Sequence, residues 1–323
     1  MQTESPIDSS RKKSRVFPAS GILPSIIVLM GLFIQLQNPS FFTADNLVNI
    51  LRQSAILAIL AFGMTTIIIS GNIDLSTGSI IGLTSVLASD MMNKLGSIAL
   101  GMVIALIVGL VVGLINGLIL VQSGVHPFLV TLGTGLIYKG IAYIYTQGMP
   151  ISNLPREFLS LGSTSLLGIP LMTIVAAAVF FLVAFILTRT RFGLHLYEIG
   201  GREEAAIASG ISVKRIKVLV YGLAGMLTAV AGILVTIRVI SSHASLGTNY
   251  HLQAIGASVV GGASLSGGRG KLLGTVFGVL IIGILSNGLN LLKVSSFWQE
   301  VAIGSTIVVA VVIDNFRSHN GKS

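Results

Sequence analysis

Gly267-Gly268-Arg269-Gly270-Lys271 is the stretch that most suggests phosphate chemistry. A nucleotide-binding P-loop needs a glycine five residues before its Gly-Lys pair and a Ser or Thr after the lysine. Positions 265 and 272 are both Leu, so that motif fails. A dinucleotide G-x-G-x-x-G fails as well, at Leu273. A flexible basic turn between two helices is the reading that remains. The chain has no Cys, which excludes disulfides, thiolate metal sites and Cys nucleophiles. Its five His show no ligand spacing, so no metal site is expected.

Asp74 is the next candidate, within Ile69-Ser70-Gly71-Asn72-Ile73-Asp74-Leu75-Ser76-Thr77-Gly78, between two apolar runs. A charge at membrane depth costs about 2.5–3.5 kcal/mol on insertion scales, so a functional role is its default hypothesis. Asp and Ser before an apolar run are also helix caps, favoured by the dipole of the helix they precede. Two readings of Asp74 and Ser76 therefore stand: shaping of the hairpin, or contact with a solute or proton. Glu300 and Asp314 lie near the ends of apolar segments. A proton relay needs several buried ionisable groups, and Asp74 alone is a thin basis for one.

The polar stretch of about 189–217 is the third candidate. Its Gly200-Gly201-Arg202-Glu203-Glu204-Ala205-Ala206-Ile207-Ala208-Ser209-Gly210 predicts a short helix over 203–208, from Ala and Glu propensity and acids in the first turn. Glycines precede it, and Gly210 ends it. Such a helix is either a surface connector or a docking element for a cytoplasmic partner. Polar residues inside apolar segments complete the candidates: Asn49, Gln53, Thr65, Thr66, Asn116, Thr131, Thr134, Asn287 and Asn290. Each either bonds a neighbouring helix or lines a solute path.

The elements that must position these residues are membrane spans. Of 323 residues, 53% are hydrophobic and only 10% charged, against about 25% charged in soluble domains. Apolar segments fall at about 20–37, 47–69, 75–92, 96–121, 126–146, 169–188, 217–238, 252–266, 272–292 and 298–314. The expected fold is all-α and polytopic, with about ten transmembrane helices over 20–315. Tails of 1–19 and 316–323 flank it. The eighth segment is short enough for a half-helix or a re-entrant piece. The first apolar run lacks a cleavage site and reads as an uncleaved span.

Net charge is +9. The Lys and Arg residues cluster at 11–15, 189–191, 202, 214–217, 269–271 and 317–322. With ten crossings these fall on one side, which predicts N-in and C-in topology by the positive-inside rule. Clusters between apolar runs argue against a nucleic-acid partner. Glycines four apart, at Gly109, Gly113 and Gly117, at Gly78 and Gly82, and at Gly274 and Gly278, predict close helix packing within one subunit.

A set of motifs then aligns in order. It begins with Asn38-Pro39-Ser40-Phe41-Phe42-Thr43, Asn46-Leu47-Val48-Asn49-Ile50-Leu51, Gly63-Met64-Thr65, Ile73-Asp74-Leu75-Ser76-Thr77-Gly78-Ser79 and Tyr145-Thr146-Gln147-Gly148-Met149-Pro150-Ile151. It continues with Gly200-Gly201, Ala205-Ala206, Ser209-Gly210-Ile211, Gly261-Gly262-Ala263-Ser264-Leu265-Ser266-Gly267-Gly268, Gly270, Gly274-Thr275, Asn287-Gly288-Leu289-Asn290-Leu291-Leu292 and Val294-Ser295-Ser296. Over about 38–315 the chain resembles an inner-membrane permease of bacterial ATP-binding-cassette importers of the ribose-transporter type.

The resemblance implies a subunit that is not an enzyme and that pairs with an identical or related permease. It implies two cytoplasmic ATP-binding subunits and a periplasmic or lipid-anchored sugar-binding protein. ATP and magnesium sit on the ATPase, and no cofactor sits on this chain. It makes Gly200, Gly201, Arg202, Glu203, Glu204, Ala205, Ala206, Ser209 and Gly210 the coupling region. The expected solute is a pentose, hexose or related polyol, moved by alternating access. A permease for branched-chain amino acids or nucleosides is the nearer alternative, and an ion-coupled secondary transporter the more distant one. Candidates for lining the pathway or shaping the hairpin are Asp74, Ser76, Asn49, Asn287 and Asn290. Asn72 and Lys293 depart from the pattern, each standing where similar permeases commonly carry Gly.

Overall fold

A computed structural model describes residues 19–320, with side chains over 22–316. The tail expected at 1–19 lies outside the described residues except for Ala19, as do residues 321–323. Thirteen helices and one two-stranded hairpin are described. The helices are α1 (Ala19–Gln37), α2 (Ala44–Ile69), α3 (Thr77–Leu95), α4 (Ile98–Ser123), α5 (Pro127–Thr146), α6 (Arg156–Ser160), α7 (Leu171–Arg189), α8 (Arg191–Gly201), α9 (Glu203–Ala208), α10 (Val213–Val239), α11 (Tyr250–Val260), α12 (Leu272–Leu291) and α13 (Ser296–Asn320). The hairpin pairs β1 (Ser165–Leu166) with β2 (Ile169–Pro170).

Among the described residues, seven helices are long and apolar enough to cross a membrane: α2, α4, α5, α7, α10, α12 and α13, the last counted as Ser296–Phe316. The other three expected spans are also helical, and of these α3 and α11 fall short of that standard. Helix α1 is apolar over Ile22–Gln37, the part of it whose side chains are described. α3 has 19 residues and carries Asp90, Asn93 and Lys94 near its end. α11 has 11 residues, about 16 Å at 1.5 Å per residue. The helix α13 continues to Asn320, past the point where a tail was expected.

The centre is α2 and α10, both buried along most of their length. The glycines of α4 bring it against α10. A methyl on Gly109 would lie 2.5 Å from the Gly225 oxygen, and one on Gly117 would lie 2.6 Å from the Val218 Cα. Lipid offers no hydrophobic push between helices, so contact this close supplies the association. Gly78 and Gly82 pack instead on the non-helical stretch 240–249, at Gly247 and Ala244. Gly274 and Gly278 pack on the end of α11, at Gly261 and Ala257. All three glycine sets expected to pack do so within the chain.

Contacts sort the connections to two ends. At one end Ile69, Gly200 and Gly268 meet, and the Leu75 N–H donates to Thr131 Oγ1 near the start of α5 at 3.0 Å. At the other end Asn38 Nδ2 donates to the Leu291 oxygen at 3.0 Å, Tyr145 bonds Asp90, and Ile151 bridges Ser242.

Candidate functional site

Helix α9 occupies 203–208, the range that its composition predicts. Its C-terminus closes as a Schellman turn, with Ile211 N–H donating to the Ala206 oxygen at 3.1 Å and Gly210 N–H to the Ile207 oxygen at 2.9 Å. Gly210 has φ +80°, the left-handed geometry this turn requires. Ala206 points inward and joins a small apolar cluster with Ile199 and Val213. Lys217 at the start of α10 holds Glu203 at 2.7 Å. Arg202, Glu204, Ala205, Ser209 and Gly210 remain exposed. Ile207 stands out among them, 59% exposed. The outward face of α9 is thus an apolar knob ringed by charges and small residues.

Gly200 and Gly201 do not merely precede α9. They end α8, an 11-residue helix that charged residues had hidden in the sequence as loop. Thr190 caps its start, its Oγ1 accepting from the Gly193 N–H at 3.2 Å. The far end of α8 is wedged against backbone. A methyl on Gly200 would overlap the Ile69 oxygen. One on Gly267 would lie 2.6 Å from the Gly200 oxygen, and one on Gly268 would lie 2.6 Å from the Gly201 Cα. The Gly268 N–H donates to the Ile69 oxygen at 2.9 Å, and the Tyr197 hydroxyl donates to the Gly270 oxygen at 2.9 Å. Burial pushes the Tyr197 phenol up, so it stays a donor. Three segments, the end of α2, the end of α8 and the 264–271 turn, therefore meet backbone to backbone. The stretch 267–271 that resembles a phosphate loop is built into this junction.

Beyond the junction, Asp74 anchors a buried polar chain. Its Oδ1 accepts from the Ser76 N–H at 2.7 Å and from Ser76 Oγ at 2.6 Å. Ser76 Oγ also accepts from Asn116 Nδ2 at 2.7 Å. Tyr138 donates to Asn116 Oδ1 at 2.8 Å. From α10, the Tyr221 hydroxyl donates to the Ile73 oxygen at 2.9 Å. Asp74 and Ser76 are fully buried, and Asp74 Oδ2 has no partner among the described residues. This turn ties α3, α4, α5 and α10 together. Asn72 is held too, its Nδ2 donating to the Ser70 oxygen at 2.9 Å.

The other polar candidates divide by location. Asn287 pairs reciprocally with Asn46, at 2.8 and 3.1 Å, joining α12 to α2. Thr65 meets Ser258 at 3.0 Å and Thr275 at 2.8 Å, a hydroxyl knot between α2, α11 and α12. Thr66, Thr131 and Thr134 bond carbonyls of their own helices. Asn49 and Asn290 are exposed. Gln53 accepts from Arg238 Nη2 at 3.4 Å and lies in a polar crevice with Ser54, Gln253 and Ser286. The last three escape a reading by residue type, because single Ser and Gln residues on separate helices carry no spacing signal. Ile207 escapes it because an apolar residue in a short helix reads as buried.

Residues 46–311 match the family described as branched-chain amino acid transport system / permease component. The ribose import permease protein of Bacillus subtilis (strain 168) is 45% identical over 92% of this chain and 95% of its own. The ribose import permease protein of Escherichia coli (strain K12) is 39% identical, over 91% and 92%. The galactose/methyl galactoside import permease protein of the same strain is 36% identical, over 92% and 94%. No solved structure matches the chain.

Proposed function

The chain belongs to this family of permease components, and from that membership we propose that it forms the membrane pathway of an ATP-driven importer of a ribose-like sugar. It is a transport component of the inner membrane, and its relatives are permease subunits and not enzymes. The relatives' names run to ribose, D-allose and galactose, and these favour a sugar over an amino acid or nucleoside. The partners that go with such a subunit are a cytoplasmic ATPase and a solute-binding protein. We assign ATP and magnesium to the ATPase, and pair this chain with a second permease, identical or related, in membrane lipid.

The observation that carries the reading is the exposed knob of α9 standing on the glycine junction. An ATPase that grips Ile207, Arg202 and Glu204 would move α9 and α8 as one unit, since Ala206 and the Glu203–Lys217 pair fix α9 to its neighbours. The backbone contacts at Gly200 pass that displacement to the ends of α2 and of the 264–271 turn without a compliant side chain between them. Topology follows from charge. The junction end holds Arg189, Arg191, Arg202, Lys214, Arg215, Lys217, Arg269 and Lys271, which favours that end as cytoplasmic. With α1, α3 and the 240–260 stretch as additional crossings, both termini fall on that side.

The test is uptake of ribose, allose and galactose by proteoliposomes holding the permease, its ATPase and its binding protein. Wild type should take up at least one of them with ATP and none without. Glu204→Lys with Ile207→Asp, both on the exposed face, should abolish ATPase binding and uptake while the permease still inserts. Uptake indifferent to ATP and to these changes would overturn the reading and return attention to a secondary transporter.

A further inference from the structure

We propose that the crevice between α2, α11 and α12 is a solute-contacting station of the pathway, built to exchange hydrogen bonds with sugar hydroxyls. The proposal rests on the reading of the chain as a sugar permease. Gln53 and Ser54 of α2, Gln253 of α11 and Ser286 of α12 line the crevice beside Tyr250, Gly283 and apolar neighbours, and it opens on about 270 Å³ of empty space, part of it open to solvent.

Its chemistry differs from that of the surrounding helix faces. Ser54 is only 5% exposed, and its hydroxyl has no hydrogen-bond partner among the described residues. That hydroxyl points at the bare backbone of Gly283, where a methyl would collide with it. Neither the Gln253 amide nor the Ser286 hydroxyl has a described partner. Gln53 has one long bond, 3.4 Å from Arg238, which leaves its amide nitrogen free. A buried hydroxyl without a partner costs about 1–3 kcal/mol. Other polar residues of these helices are bonded to one another: the buried Asn287 to the half-buried Asn46, and the buried Thr65 to Thr275. Among the described residues, the crevice gathers several unspent donors and acceptors between α2, α11 and α12.

Its position agrees with its chemistry. Gln53 lies roughly 14 Å along α2 from Ala44, at 1.5 Å per residue, and so within the apolar thickness. Here the chain enters as the non-helical stretch 240–249 and only then forms α11. Non-helical backbone at membrane depth is tolerated where it is buried in protein or lines a cavity, and broken helices are where transporters place their solute sites. Gln and Ser present both donors and acceptors, as a sugar hydroxyl requires, and the Tyr250 ring offers an apolar face to sugar C–H groups. Water-sized space is only about 20 Å³ in this conformation, room for about one water. To take a sugar ring the crevice must widen, by movement of α11 and α12.

The experiment uses the complete reconstituted importer and compares uptake of ribose, allose and galactose for Gln53→Leu, Gln253→Leu and Ser286→Ala. Loss of a hydrogen bond to a hydroxyl should lower the rate for the affected sugar by about fivefold, and should alter the ratio of rates among the three sugars. Stimulation of ATPase activity by the loaded binding protein should stay unchanged. Because the chain has no Cys, Ser286→Cys supplies a single thiol. Its labelling by a small charged thiol reagent should slow when ribose is present during turnover. Equal loss for all three sugars, unaltered rates, or labelling indifferent to ribose would overturn the proposal. If wild type moves none of the sugars with ATP, the permease reading has failed and this proposal falls with it; if wild type moves them and the variants match it, the crevice assignment alone falls.

Discussion

The glycine junction and the polar crevice lie at different points along α2, and they are built on opposite plans. At the junction, Gly200, Gly267 and Gly268 bring backbone against backbone, and the Gly268 N–H and Tyr197 hydroxyl are spent on carbonyls. At the crevice, side chains keep their hydrogen-bonding capacity in reserve. A region that passes on a displacement gains from stiffness and satisfied groups. A region that meets a moving solute gains from groups that water or a hydroxyl can satisfy in turn. Substitutions at the junction should therefore act on every solute alike, whereas those at the crevice should discriminate.

The largest effect should come from Gly200→Val. A Cβ there would overlap the Ile69 oxygen, and overpacking of about 1–3 kcal/mol corresponds to a drop in uptake of roughly 5- to 150-fold. The loss should be the same for each sugar, with basal ATPase activity kept. Solute-dependent loss would erase the distinction between the two regions.

Asp74→Ala comes next. It removes the acceptor of two hydrogen bonds from Ser76, and thermal unfolding should show a loss of about 1–3 kcal/mol. Asp74→Asn keeps an oxygen acceptor and should restore most of the stability and uptake. Normal stability without uptake in Asp74→Asn would instead give the carboxylate a direct part in transport.

Lys293→Gly should do least. Lys293 has φ +56°, a left-handed conformation that costs a residue with a Cβ about 1–2 kcal/mol, partly offset by the greater freedom of glycine when unfolded. A rise in melting temperature of a few degrees, with uptake unchanged, would show that stability alone does not move the transport readouts.

Much of this arrangement is legible in residue types. Glu203-Glu204-Ala205-Ala206 and Gly210 define both limits of α9, because acids favour a first turn and glycine a left-handed exit. The short eighth apolar segment, read as a half-helix or a re-entrant piece, is the 11-residue α11. The glycine spacings of α4 foretell a close contact, although not with α10. Other features depend on three dimensions. Gly200 reads as a bracket around α9, and only the neighbouring Ile69 and Gly268 reveal it as a contact. Asn287 reads as a pathway candidate until Asn46 is found across from it. The glycine preference noted at position 293 acquires its reason from the φ angle there. Ten apolar segments do not make ten equal spans: α3 carries Asp90 and Lys94 near its end and α11 has only 11 residues, and packing against neighbours can carry a shorter or more polar helix.

The contact between α4 and α10 also has a consequence for how the protein is made. Gly113 meets Tyr221 and Gly222, so the partner of this helix emerges from the ribosome long after the helix itself. At about 5–20 residues per second, the roughly hundred intervening residues take about 5–20 s to synthesise. Through that interval α4 sits in the bilayer with its glycine groove open to lipid or to the insertion machinery. The protein must therefore thread its helices first and zip its centre afterwards, and a chain interrupted before α10 would expose the groove as a mark of unfinished assembly.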